Sequence, residues 1–261
     1  MIHLLLEARK NGIKHDEKLV QDTGFATVEE SEIHKNPKNA KAEITDQDMT
    51  SQALLFFFAG FDSVSTLMCF MSHELAVNPD IQKRLIEEVD ETRDVCKGQI
   101  TYGGVLSMKY MDMVVSEALR KWPSSVAVDR VCTKPYTIEA KYPDERPLLL
   151  EKNAVVWLPI FGLHRDPNHY PEPECFDPER FNDRNKINIK PYTYLPFGSG
   201  PRNCIGSRFA LLEIKTLFFY ILSHFRIVPV EKTPIPLVIS KKKFNLTAEK
   251  GFRLGLKRRS M

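Results

Sequence analysis

The chain has 261 residues, 43% of them apolar and 27% charged, the proportions of an ordinary folded domain with a sizeable core. A net charge of +3 is too small to argue for nucleic acid as a partner. Five widely spaced cysteines, with no Cys-x-x-Cys pair, point to a reducing compartment rather than a disulfide framework.

In chain order, residues 1–9 read as a piece of amphipathic helix. Glu7 and Arg9 interrupt its apolar run too early for a signal peptide. Residues 10–41 are charged and weakly periodic, the pattern of a flexible loop. Thr45 to Asp48 form a capping-box pattern that opens a long helix reaching Val77, and Asn78-Pro79 closes it. At about 1.5 Å per residue this helix is roughly 50 Å long, enough to cross a domain. Its most apolar part, residues 53–71, carries Asp62 at its centre, which is costly in lipid, so we do not read it as a membrane span. Gly60, Asp62 and Ser63 sit together in mid-helix. Such a glycine costs about 1 kcal/mol relative to alanine. The acid and hydroxyl need partners, or the hydroxyl bonds back to its own helix.

Asn78 also suits the N-cap of a second helix, with Pro79 at its first position and an amphipathic pattern ending near Gly98. A third helix runs from about Lys109 to Trp122, stopped by Pro123. On it Glu117 and Arg120 are three apart and therefore neighbours. Asp90 and Arg93 have the same spacing and read as a surface pair. Residues 124–131 are extended, and residues 135–138, 148–150 and 154–158 read as short strands, the last two joined at Lys152-Asn153. His164 reads as bonded to a backbone group, without chemistry of its own. From Pro167 to Pro201 there are seven prolines, so this stretch is a rigid meander.

The meander ends in Phe197-Gly198-Ser199-Gly200-Pro201-Arg202-Asn203-Cys204-Ile205-Gly206. A loop with three glycines thus delivers one cysteine to the start of a helix over residues 207–224, apolar on nearly every face and therefore expected in the core. Free N–H groups, the helix dipole and Arg202 all favour a thiolate at Cys204. Phe197 can shield the sulfur from water. Such a thiolate can attack a substrate, yet no histidine lies in the loop to act as base. It can exchange disulfides, or ligate a metal as the sole protein ligand, as suits haem iron. An inert cysteine is the remaining alternative, and is our reading of Cys69, Cys96, Cys132 and Cys175. Residues 227–230, 237–240 and 252–257 are strand-like, and Lys257-Arg258-Arg259 reads as a solvated tail.

The Phe-x-x-Gly-x-Arg-x-Cys-x-Gly spacing of residues 197–206 resembles the haem-binding loop of the cytochrome P450 family position for position. Ala59-Gly60-Phe61-Asp62-Ser63 resembles that family's oxygen-binding helix, with Ser63 where threonine is usual. The hydroxyl is kept, and the methyl that helps fix its rotamer is lost. Glu117-x-x-Arg120, the chain's only Glu-x-x-Arg, and Pro178-Glu179-Arg180-Phe181 complete four motifs in the family's order over residues 42–257.

The resemblance implies a mainly α fold with small antiparallel sheets, and a chain corresponding to the C-terminal half of an insect-type microsomal member, a single partial domain. It implies haem b with Cys204 as axial thiolate; Phe197, Gly198, Arg202 and Gly206 serve the same loop. Arg130 matches a haem-propionate ligand. Gly60 makes room over the haem, and Asp62 with Ser63 organises protons for dioxygen. Val126, Ala127 and Val128 touch substrate. Glu117, Arg120 and Arg180 form a structural cluster that locks the cysteine loop. The implied activity is insertion of one oxygen atom from dioxygen into a small lipophilic substrate. Electrons come from NADPH through NADPH-cytochrome P450 reductase. The implied location is the cytoplasmic face of the endoplasmic reticulum membrane, through an anchor outside this chain. A hydroperoxide isomerase and a non-catalytic haem-binding or inert remnant are the rivals.

Overall fold

The computed structural model describes residues 23–28, 44–242 and 246–259, so residues 1–9 and most of the loop expected over 10–41 lie outside the described residues. The long helix is α1, Asp46–Val77. Its N-cap Thr45 accepts the Asp48 N–H at 3.2 Å, and the Asp48 carboxylate accepts the Thr45 N–H at 3.0 Å, closing the capping box. At the other end the Asn78 amide donates to the Glu74 carbonyl at 2.9 Å. That side chain is spent closing α1, so the expected side-chain cap on α2 (Pro79–Val95) does not form.

Two short helices escape the sequence pattern, α3 (Tyr102–Ser107) and α5 (Ile160–Leu163), both too brief for an amphipathic period. Between them lies α4, Lys109–Lys121. The last helix is α6, Ser207–His224. Leu67, Phe70, Met71 and Leu75 of α1 meet Leu85 and Val89 of α2, Met111, Val114 and Ala118 of α4, and Leu211, Phe218 and Leu222 of α6 in one buried core. Phe70 stacks on Trp122 at 4.5 Å and meets Phe252 edge-on at 4.9 Å. Helix α6 departs from its expected burial: Phe209 is 66% exposed and Tyr220 49%, so one face enters the core and the other stays open.

Among the described residues, three two-stranded antiparallel sheets accompany the helices. Strand β1 (Val128–Val131) pairs with β4 (Val155–Leu158), Val128 opposite Leu158. Strand β2 (Tyr136–Ile138) pairs with β3 (Leu148–Leu150). The turn at Asn153 (φ 71°) joins β3 to β4, but the two go to different sheets, because β3 pairs with β2 and β4 returns to β1. Strand β5 (Phe225–Pro229) pairs with β6 (Leu254–Arg258). Residues 237–240 form no strand, only a bridge from Ile239 to Ala248.

Polar side chains brace the core across long sequence separations. Gln82 donates to the carbonyls of Leu75 and Ile227 at 2.8 Å each and accepts the Ile227 N–H, tying α1, α2 and β5 together. The expected solvated tail is corrected at Arg259, which pairs with Asp90 and donates to the Leu222 carbonyl at 2.6 Å. Arg259 thereby satisfies an open carbonyl in the last turn of α6. Asp90 also contacts Arg93 at 3.5 Å. Within the loop expected over 10–41, residues 23–28 are packed against the domain, with Thr23 and Ala26 buried.

Candidate active site

Helix α4 carries a buried, multiply bonded ion pair, Glu117 and Arg120. Arg120 holds Glu117 with two bonds, Nε to Oε2 at 2.7 Å and a terminal nitrogen to Oε1 at 2.8 Å, and neither side chain is exposed. Arg120 also donates to the carbonyls of His164 (2.8 Å) and Pro173 (2.9 Å), while Glu117 accepts the Asp177 N–H at 2.9 Å. Arg180 comes to 3.7 Å from Glu117 and donates to the Glu172 carbonyl at 3.0 Å. Burial pushes the Glu117 carboxyl up, against the pull of Arg120 and the Asp177 N–H. The meander is thereby fastened to α4 through the carbonyls of Pro173 and Cys175 and the N–H of Asp177.

His164 extends this cluster. Its Nε2 accepts the Leu195 N–H at 2.8 Å, which leaves Nδ1 to donate to the Arg120 carbonyl at 3.1 Å. Only the neutral ring can make both bonds. Burial holds its pKa down to about 4. Sequence reading assigned His164 one backbone bond; its link to Leu195, two residues before Phe197, has no local signal. Tyr194 was missed entirely: its hydroxyl donates to the Ser116 carbonyl at 2.9 Å and its ring stacks on His164 at 5.4 Å.

The cysteine loop follows. The Gly198 N–H reaches the Leu195 carbonyl at 3.1 Å, the Cys204 N–H reaches the Phe197 carbonyl at 2.9 Å, and Gly200–Arg202 form a single 3-10 turn. Gly198 (φ 72°) and Gly200 (φ 75°) lie in the left-handed region, which a side chain would strain. Gly206 is the N-cap of α6, and a Cβ there would come to 4.0 Å from the Cys204 sulfur. Phe197 packs against the core, and Cys204 is exposed. Arg202 is exposed in the turn.

The other proposed face is the first half of α1. Leu55, Phe57, Phe58 and Phe61 are each more than 60% exposed, and Phe57 stacks with Phe61 at 6.2 Å. A Cβ on Gly60 would meet nothing within 4 Å. The Ser63 hydroxyl donates to the Ala59 carbonyl at 2.6 Å, so it is bonded back to its own helix, and Asp62 is exposed. Ser124 donates to the Ser63 carbonyl at 3.4 Å, which brings the extended stretch beside α1. Val126, Ala127 and Val128 are half-buried there, and Val126 accepts the Phe161 N–H at 2.9 Å. Arg130 of β1 donates to the neighbouring Asp129 carbonyl at 2.7 Å.

These residues fit a haem. Cys204 offers an exposed sulfur in a glycine loop that holds its backbone by hydrogen bonds. The space beside Gly60 and the open apolar face of α1 suit a flat hydrophobic ring. Among the described residues no three His, Cys, Asp or Glu side chains converge on a metal site.

A family model for cytochrome P450 matches residues 7–254. The chain belongs to the cytochrome P450 family. It is 50% identical over 260 residues to cytochrome P450 9e2 of Blattella germanica, an alignment spanning 100% of this chain and 46% of that relative. It is 42% identical over 267 residues to probable cytochrome P450 9f2 of Drosophila melanogaster, spanning 99% of this chain and 50% of the relative. Cytochrome P450 3A25 of Mus musculus is 42% identical over 215 residues, 80% of this chain and 41% of the mouse protein. The chain thus spans about half the length of the curated cytochromes P450 it matches. Helix α1, Asp46–Val77, is long and apolar enough to cross a membrane by length and composition alone; its second half forms part of the core.

Proposed function

We propose that this chain is the haem-thiolate half of a monooxygenase that inserts one atom of dioxygen into a small lipophilic substrate. The single observation that carries this reading is the exposed Cys204 sulfur in its hydrogen-bonded glycine loop, set on a family match over residues 7–254. Cys204 would hold the iron of haem b through its thiolate, within the loop formed by Phe197, Gly198, Arg202 and Gly206. A thiolate-ligated haem supplies electron push for O–O cleavage.

The remaining steps belong to the chain's own residues. Gly60 leaves room on the face of α1, since a Cβ there has no neighbour. Asp62 and the Ser63 hydroxyl hold protons at that face; Ser63 leaves its bond to Ala59 when a better acceptor is present. Val126, Ala127 and Val128 line the substrate side with apolar surface. Arg130 pairs with a haem propionate, in place of the bond to its own backbone that it makes now. Glu117, Arg120 and Arg180 hold the meander, and through it the Cys204 loop. NADPH-cytochrome P450 reductase supplies electrons, and an anchor outside this chain holds the protein on the cytoplasmic face of the endoplasmic reticulum membrane. In that setting residues 1–261 are one part of a larger catalytic domain.

The test is turnover of the natural protein that carries this chain, with reductase, NADPH and isotopically labelled dioxygen. The expected result is one labelled oxygen atom in the product, dependent on NADPH. Product from a hydroperoxide without NADPH would favour the isomerase. A folded protein without a red-shifted ferrous-CO band would favour the remnant.

A further inference from the structure

Residues 23–28 sit in a stretch whose composition gives them no structural task, yet they are fastened to three elements. The Lys215 ammonium of α6, 1% exposed, lies 2.8 Å from the Asp112 carboxylate of α4 and donates to the Thr23 carbonyl at 2.7 Å. The other Asp112 oxygen accepts the Phe25 N–H at 3.0 Å. Gly24 has φ 151°, and a Cβ there would lie 2.1 Å from that carboxylate, so the segment passes where only glycine fits. Beyond the polar lock, the Phe25 ring meets Phe181 edge-on at 5.4 Å and Tyr194 at 5.7 Å. Tyr194 stacks on His164, which accepts the next residue's N–H at 2.8 Å. Two residues on, Phe197 accepts the Cys204 N–H.

We propose that residues 23–28 are a strap and that Phe25 is a positioning residue for the Cys204 loop, acting through Tyr194 and His164. The inference rests on the reading of Cys204 as haem ligand for its consequence, but not for its geometry. A buried lysine on the helix that follows the cysteine takes one of its two partners from the strap, so the strap and α6 hold one another in register. The Phe25 ring packs on Tyr194 together with Phe181, whose ring lies 4.9 Å from the tyrosine.

The test compares Phe25→Ala, Phe25→Leu and Ile227→Ala in the natural haem-bound protein. Ile227 is buried in β5, away from the strap, and controls for general loss of stability. Exchange of the Leu195 amide should quicken about tenfold in Phe25→Ala and less in Phe25→Leu, with little change in Ile227→Ala. The red-shifted ferrous-CO band should decay about tenfold faster in Phe25→Ala, below its unfolding temperature. Should Phe25→Ala not accumulate, Phe25→Leu carries the comparison. Unchanged Leu195 exchange in the Phe25 variants, or equal quickening in Ile227→Ala, overturns the strap. Absence of the red-shifted band in the unaltered protein removes the haem-thiolate reading instead, and the exchange measurement still decides the strap.

Discussion

The Glu117–Arg120 cluster and the Cys204 loop lie at two ends of one meander and are built in opposite ways. Glu117 and Arg120 are fully buried, and each reaches several partners with short hydrogen bonds. Cys204 is exposed, and its backbone N–H is tied to the Phe197 carbonyl. A group saturated by protein has nothing left to give a ligand, so the first region can only hold shape. Cys204 stands in a loop with two left-handed glycines, Gly198 and Gly200, and on the proposed reading its sulfur bonds a ligand. On the proposed reading, this difference is one between scaffold and chemistry.

Breaking the scaffold should therefore cost folding first. Glu117→Ala leaves Arg120 buried without its counter-charge, and truncating one member of such a pair costs about 3–5 kcal/mol. Denaturant unfolding should show that loss, and haem content should fall with it. A loss below about 1 kcal/mol would show the pair to be superficial.

His164 gives the next largest effect, with a defined sign. Its folded pKa, down at about 4, lies below its ordinary 6.5, so the unfolded chain binds the proton more readily. Its contribution is complete above pH 6.5 and is lost as pH falls toward 4. At about 1.4 kcal/mol per unit, this amounts to roughly 3 kcal/mol. Unfolding curves of His164→Gln should lack that part of the acid destabilisation; an unchanged pH dependence would mean that His164 titrates normally.

Arg180 sits at the rim of the cluster, 3.7 Å from Glu117. Arg180→Ala should cost about 1–2 kcal/mol, visible as a lower thermal midpoint, because Arg120 still neutralises the acid. Smallest of all is Arg84→Ala: Arg84 and Glu179 pair with both side chains well exposed, and such pairs are worth about 0–1 kcal/mol. A larger loss there would blur the line between buried and exposed pairs on which the comparison rests.

What the sequence made legible was local. The Thr45–Asp48 box, both ends of α6 and the Glu117–Arg120 spacing depend on residues within one or two turns. The strands are three to five residues long, too short to announce their partners, and β3 and β4 went to different sheets. The anchoring of Arg259 to Asp90 spans 169 residues, and the partners of His164 lie 44 and 31 residues away. Nothing local encodes such contacts. The same holds for Phe25, one ring in a charged stretch, whose neighbours Phe181 and Tyr194 only the fold supplies. Helix α1 shows the limit most simply: Phe58 and Phe70 look alike in sequence, yet one is 62% exposed and the other fully buried. Apolarity says that a face will be covered and not by what.

The central claim is that Cys204 serves chemistry and not the fold, and the ferrous-CO spectrum of Cys204→Ser tests it most directly. In the natural haem-bound protein the variant should lose the red-shifted Soret band completely, while its unfolding free energy falls by less than that of Glu117→Ala. A retained red-shifted band, or a collapse of stability equal to the Glu117 variant, would contradict the account.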